Sequence, residues 1–170
     1  MSGPSPYSVD ARSETDWGIC VLTHTPLDVP QIIQSVGDPA AGATAVFIGT
    51  TRNSFKGRTV TRLDYQAFSK LAINTMSHIL VDAVHQISRS DHHTSDNPVP
   101  SLIRCALHHR LGTVPVGEPS IVIAVSSPHR KEAFVACESI LEQVKRKAQI
   151  WKREFYEGDR EEDAEWKANE

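Results

Sequence analysis

Apolar positions recur along this chain with two periods, and the points where one period gives way to the other outline the fold. Leu71, Ala72, Thr75, Met76, Ile79, Leu80, Ala83, Val84 and Ile87 fall on one face at helical spacing, which predicts the clearest helix. A second long helix follows Ser127, with Ala133, Phe134, Cys137, Ile140, Leu141 and Val144 as its buried stripe. Ser127 is expected to cap it, with Pro128 at the first helical position and His129 and Arg130 next. The amphipathic run reaches Lys145 and is expected to end near Trp151, with Lys152 just beyond. A short helix is expected over 29–36, capped by Asp28, with Pro30 tolerated in its first turn and Gly37 closing it.

Between the helices the period shortens. Residues 17–24 and 59–68 alternate as strands do, and 43–51 is an apolar, β-branched run that reads as a buried strand. Residues 52–58 read as a polar, mobile loop with Gly57. Strands are also expected over 101–110 and 120–126, around a turn with Gly112, Pro115 and Gly117. Ile121 to Val125 is apolar on both faces, which places that strand at the centre of a sheet. The order β-α-β-β-α-β-β-α predicts an α+β sandwich, with helices on a mostly antiparallel sheet. No GxGxxG or P-loop pattern occurs, which disfavours a nucleotide-binding Rossmann fold.

The length of 170 residues fits one domain, drawn at 16–156. Residues 1–15 are expected as a flexible extension and 157–170 as an acidic tail that Trp166 anchors at best. Residues 88–100 read as a hydrophilic loop. Its Asp91-His92-His93 is a weak metal candidate, since adjacent histidines in a solvated loop seldom bind a metal alone.

Charge and cysteine content narrow the classes. Lys plus Arg is 18 against 21 for Asp plus Glu, so the chain is not a general nucleic-acid binder and any basic site is local. Cys20, Cys105 and Cys137 each sit in an apolar stretch without CxxC spacing, and read as buried small hydrophobes in a reducing compartment. No apolar run is long enough to span a bilayer and the N-terminus lacks a signal-peptide core, so the cytosol is the expected location.

The residues that can carry chemistry are basic. A helix start offers free N–H groups and the positive end of a dipole, so His129 and Arg130 there point to a bound anion, against the plainer reading of a solvated helix start. Lys145 lies one turn beyond Leu141, at the flank of the apolar stripe, and Lys152 follows an indole. Lysine becomes a base when burial or a second ammonium disfavours its charge; the plainer reading is that basic residues complement the helix C-terminus. Arg52 ends the 43–51 strand, and His108-His109-Arg110 ends another, where alternation sends one histidine inward.

With these residues laid out, the chain resembles the large, catalytic subunit of molybdopterin synthase. The matching pieces are Phe47-Ile48-Gly49-Thr50-Thr51-Arg52-Asn53, Gly57-Arg58, Leu63-Asp64-Tyr65-Gln66-Ala67-Phe68, His108-His109-Arg110-Leu111-Gly112, Val116-Gly117-Glu118, Val125-Ser126-Ser127-Pro128-His129-Arg130, and Lys145 with Trp151-Lys152-Arg153-Glu154. Each is weak alone; their order and spacing make the set specific.

The resemblance implies an α/β hammerhead fold with an additional small antiparallel sheet, and a sulfurtransferase that converts cyclic pyranopterin monophosphate into the molybdopterin dithiolene. Sulfur arrives as a thiocarboxylate on the C-terminus of a small ubiquitin-like subunit, and two large subunits form the central dimer of a heterotetramer. Lys145 and Lys152 match the family's catalytic lysines. Arg52, His129, Arg130 and Arg153, with the two lysines, match its substrate-binding set. No metal or organic cofactor is implied. Ser54, Gln66 and Gln149 depart from the family pattern, and Gln149, in place of a proline, is expected to let the helix run further. The alternative is a non-catalytic adaptor that binds a ubiquitin-like partner. An RNA-binding module lacks the aromatic strand motif, and a nucleotide-dependent acyltransferase lacks the Gly-rich loop.

Overall fold

A computed structural model describes residues 5–87 and 101–169. The expected 88–100 loop, with Asp91, His92 and His93, lies outside the described residues. The elements run β1 (Ala11–Thr15), β2 (Gly18–Thr23), α1 (Val29–Ser35), β3 (Ala43–Thr50), β4 (Ser54–Phe55), β5 (Arg58–Ala67), α2 (Ser69–Ile87), β6 (Arg104–Arg110), β7 (Gly112–Pro115), β8 (Pro119–Ser127), α3 (Arg130–Lys147), β9 (Ile150–Tyr156) and β10 (Lys167–Ala168). The α+β expectation holds, in two sheets. The first has strand order β1-β2-β6-β8-β3, and the second β10-β9-β5-β4 with β7 also on β5. Only β2 and β6 pair in parallel among the named strands.

The main core forms where α2 and α3 cover one face of the first sheet. Met76, Ile79, Leu80 and Ala83 of α2 and Ala136 and Ile140 of α3 pack there with Leu22, Leu107 and Ile123. The predicted stripes are largely the buried faces, as hydrophobic burial requires of an amphipathic helix, but Leu71 and Phe134, near the helix starts, are 48% and 66% exposed and do not join the core. The opposite face is covered more thinly, with Ile32 and Val36 at α1 seated on Ala106, Val122 and Ala124. Those contacts bury β8 on both faces and make it central, as its apolar run predicts.

Several expectations are corrected. Strand β3 is not buried on both sides: it pairs only with β8 within the first sheet, and Val46 and Ile48 on its outer face are 37% and 42% exposed because α1 does not reach them. Residues 11–15 are not loose; they form β1 and hydrogen-bond along β2. The 52–58 segment folds into a tight hairpin, in which Lys56 (φ 48°) and Gly57 (φ 75°) are the two turn residues between the paired Phe55 and Arg58.

The largest correction concerns α3. It ends at Lys147 with Ala148 as C-cap, and the chain turns back as β9 antiparallel to β5. Ile150, Trp151, Phe155 and Tyr156 are strong strand formers, and pairing with β5 outweighs continuation of the helical period. At the other end, His129 is the N-cap and Arg130 the first helical residue. The Ser127 hydroxyl accepts instead from the His129 N–H at 3.2 Å, a local turn that holds Pro128 outside the helix. The acidic tail adds a 3₁₀ turn (Glu161–Asp163) and β10, and Trp166 stacks beneath the Arg153 guanidinium at 4.7 Å.

Candidate active site

The two sheets and the end of α3 enclose a cavity of about 460 Å³. Phe47, Gly49 and Thr50 of β3 and Ser120 and Ile121 of β8 form one wall, and Val60, Leu63 and Tyr65 of β5 face them. Three of the predicted cations reach it. Arg52 enters from the loop after β3, with its guanidinium 5.7 Å from the Phe55 ring centroid. Lys145 enters from the last turn of α3. It lies one turn beyond Leu141 on the same helical face, and Leu141 and Val144 also line the cavity. Lys152 enters from β9 directly opposite Tyr65 on β5.

His129, Arg130 and Arg153 are elsewhere. His129 and Arg130 stand at the N-terminus of α3, which at 1.5 Å per residue places them about 25 Å along the helix axis from its C-terminal end. The end of α3 expected to bind an anion and the end that carries Lys145 therefore do not meet within one chain. Strand alternation puts Arg153 on the opposite face of β9 from Lys152. There it is the cross-strand partner of Asp64, donates to that carboxylate at 3.1 Å, and lies over Phe155 and Trp166.

The cavity also holds groups that the helical period does not single out. Glu154 is two residues on from Lys152, on the same face of β9, and its Oε1 lies 3.7 Å from Lys152 Nζ. His109 forms part of the floor and is 1% exposed. Its Nδ1 donates to the Arg110 carbonyl at 2.8 Å, which leaves Nε2 as the acceptor for Asn169 Nδ2 at 3.2 Å. Burial holds His109 neutral and lowers its pKa to about 4. Burial likewise raises the Tyr65 pKa, against a hydrogen bond with Ser120. Asn169 comes from the tail, where β10 pairs with β9 at Trp151 and Lys152. Alternation in Trp151-Lys152-Arg153-Glu154-Phe155-Tyr156 is the signal that sorts these residues onto two faces.

Chemically, the cavity is a polar hollow with two ammonium groups, a guanidinium and one carboxylate against an apolar and aromatic back wall. It suits an anionic, flat ligand. Among the described residues, no group of three or more His, Cys, Asp or Glu side chains is placed to hold a metal ion. The three cysteines are buried, with pKa values raised by burial to about 12 at Cys20 and Cys105 and about 11 at Cys137, so they stay as thiols. No helix among the described residues is long and apolar enough to cross a membrane.

Residues 22–147 match the family model described as MoaE protein. A molybdopterin synthase catalytic subunit from Pyricularia oryzae is 45% identical over 148 residues, 87% of this chain and 72% of that protein. The namesake from Drosophila willistoni is 41% identical over 87% of this chain, which spans only 36% of that longer protein. The crystal structure of molybdopterin synthase from Staphylococcus aureus superposes with a TM-score of 0.72 at 27% identity, covering 86% of this chain and 94% of that one.

Proposed function

The chain belongs to the MoaE protein family, and from that premise we propose that it is the large, catalytic subunit of a molybdopterin synthase. Its reaction is the transfer of sulfur from the C-terminal thiocarboxylate of a small ubiquitin-like subunit to cyclic pyranopterin monophosphate, which yields the molybdopterin dithiolene. The observation that carries the reading is the convergence of Arg52, Lys145 and Lys152, from a loop, a helix end and a strand, on one cavity.

Each cation has a role that its position supports. Arg52 offers a planar fork that matches a phosphate, and the aromatic wall beside it suits a pterin ring. Lys145 carries protons during sulfur attack and stabilises the oxyanion that forms when the thioester to the partner's tail is hydrolysed. Lys152 supplies the second positive charge along the wall. Arg153 contributes indirectly, by fixing β9 to β5 through Asp64.

His129 and Arg130 remain candidates for the substrate's phosphate, but the length of α3 bars them from their own chain's cavity. They act on a second copy, which agrees with a central dimer of large subunits flanked by two small ones. The catalytic unit is centred on residues 16–156. It works in the cytosol, without nucleic acid, membrane or added cofactor.

A single-turnover assay tests this. The chain is mixed with thiocarboxylated small subunit and cyclic pyranopterin monophosphate, and dithiolene product is followed. Product formation is expected. A chain that binds the small subunit and makes no product is an adaptor, and the enzyme reading fails.

A further inference from the structure

Strand β9 carries Lys152, Glu154 and Tyr156 on one face, since alternate residues of a strand point the same way. The first two line the cavity. Glu154 and Tyr156 also line a second, smaller hollow of about 180 Å³, with Arg58 and Asp159. Glu154 is thus the partition between the two. Its Oε2 accepts from the Tyr156 hydroxyl at 2.5 Å, and its Oε1 faces Lys152 Nζ at 3.7 Å. Tyr156 is held in turn from outside. The Arg58 guanidinium stacks over its ring at 4.1 Å and donates to both carboxylate oxygens of Asp159 at 2.6 Å.

We infer that Tyr156 is a positioning residue for the chemistry in the cavity: its hydroxyl fixes the Glu154 carboxylate, and the carboxylate holds the Lys152 ammonium against the cavity wall. The inference rests on the role proposed above for Lys152. A lysine loses rotamer entropy when it is held, and a lone ion pair at a partly exposed site contributes little toward that cost. A carboxylate free to rotate would not fix the ammonium. Tied at one oxygen by Tyr156, it keeps the other aimed at Lys152.

Burial first, and the hydrogen bond to Glu154 second, raise the Tyr156 pKa to about 12, so the hydroxyl remains a donor across the neutral range. Strand geometry accounts for the series: a side chain two residues along reaches its neighbour, and the next one reaches that neighbour's far side.

The test uses the full chain and site-resolved acylation of lysines by an amine-reactive ester, read by mass spectrometry. Tyr156→Phe removes the hydroxyl and keeps the ring under Arg58. Lys152 is expected to be acylated ~3-fold or more faster in Tyr156→Phe and in Glu154→Gln, with the double variant no faster than Glu154→Gln, because groups acting in series are not additive. Lys70 and Lys131, exposed at the starts of α2 and α3, should keep their wild-type rates. In turnover, kcat should fall in Tyr156→Phe with KM unchanged.

An unchanged Lys152 rate, or a general rise across all lysines with a lowered melting temperature, overturns the inference. So does an unchanged kcat in an enzyme that turns over. A wild-type chain that gives no product defeats the proposed function instead, and the acylation rates still decide whether Tyr156 restrains Lys152.

Discussion

Lys152 and Tyr65 are cross-strand partners in the β9–β5 ladder, so backbone pairing, rather than side-chain chance, fixes where the lysine enters the cavity. Lys145 reaches the same hollow from α3, and Ala148 and Gln149 are the only residues between the two elements. A short reversal between a helix and a strand thus brings two cations to one wall. Packing holds both supports: Val144 and Ile150, beside the reversal, are buried in the main core.

Lys145→Ala should abolish turnover while leaving dimer and small-subunit binding intact. General acid–base and oxyanion contributions are each worth about 10²–10⁴-fold in rate, so a loss of at least ~100-fold in kcat is expected. Lys145 is exposed, and its truncation costs no core packing. Single-turnover product formation, with gel filtration of the complex alongside, checks it. Normal product from this variant would remove Lys145 from the mechanism.

Arg52→Ala should act mainly on substrate binding. Charge-assisted hydrogen bonds contribute about 1.5–3 kcal/mol, which corresponds to an apparent KM raised ~10-fold or more. The guanidinium makes no ion pair within 4 Å among the described residues, so little structural repair should accompany its loss. Initial rates against substrate concentration provide the measurement. An unchanged KM with a lowered kcat would instead put Arg52 at the reacting atoms.

The distance between the ends of α3 leads to a mixing experiment. Arg130→Ala and Lys145→Ala should each be impaired at substrate concentrations below KM. If Arg130 serves the neighbouring copy, a mixed dimer holds one cavity with both residues intact. Random mixing by unfolding and refolding together should then restore about a quarter of wild-type activity, from half the dimers with one good site each. No recovery above the two separate variants would show that Arg130 serves its own chain or none.

Which parts were legible in the sequence follows from the range of each interaction. The faces of α2 and α3 and the central place of β8 could be read because local period and burial agree there. Strand β9 was hidden because Ile150 and Trp151 continue the apolar period of α3 closely enough to pass as its last turn. Only the β5 ladder, between residues about ninety apart in the chain, makes it a strand. The same continuity of period hides the site's arrangement. A helix through residue 151 offers no reason to group Lys152 with Glu154 and Tyr156, whereas a strand places all three together and sends Arg153 away. Strand β1 was missed for the opposite reason: Ala-Arg-Ser-Glu-Thr has scarcely any apolar signal, and its place depends on pairing with β2.

His109 sets an acid limit on stability. Its pKa is lowered by burial from the usual 6.5 to about 4, and that of neighbouring His108 falls to about 4, by burial first and the Arg12 charge second. Above pH 6.5 the folded and unfolded states both hold neutral imidazoles, and these groups add no pH dependence. Between 6.5 and 4 the unfolded chain takes up protons that the folded chain refuses, so stability falls as the pH falls. For His109 alone the slope approaches ~1.4 kcal/mol per pH unit, or about 3 kcal/mol across the whole window. His109→Gln cannot titrate and retains a polar group toward Asn169. Its stability in urea should therefore fall less steeply between pH 6.5 and 4.5 than that of the wild type, by up to one proton's worth. Parallel slopes for the two chains would mean that the buried imidazole is protonated as readily when folded as when unfolded.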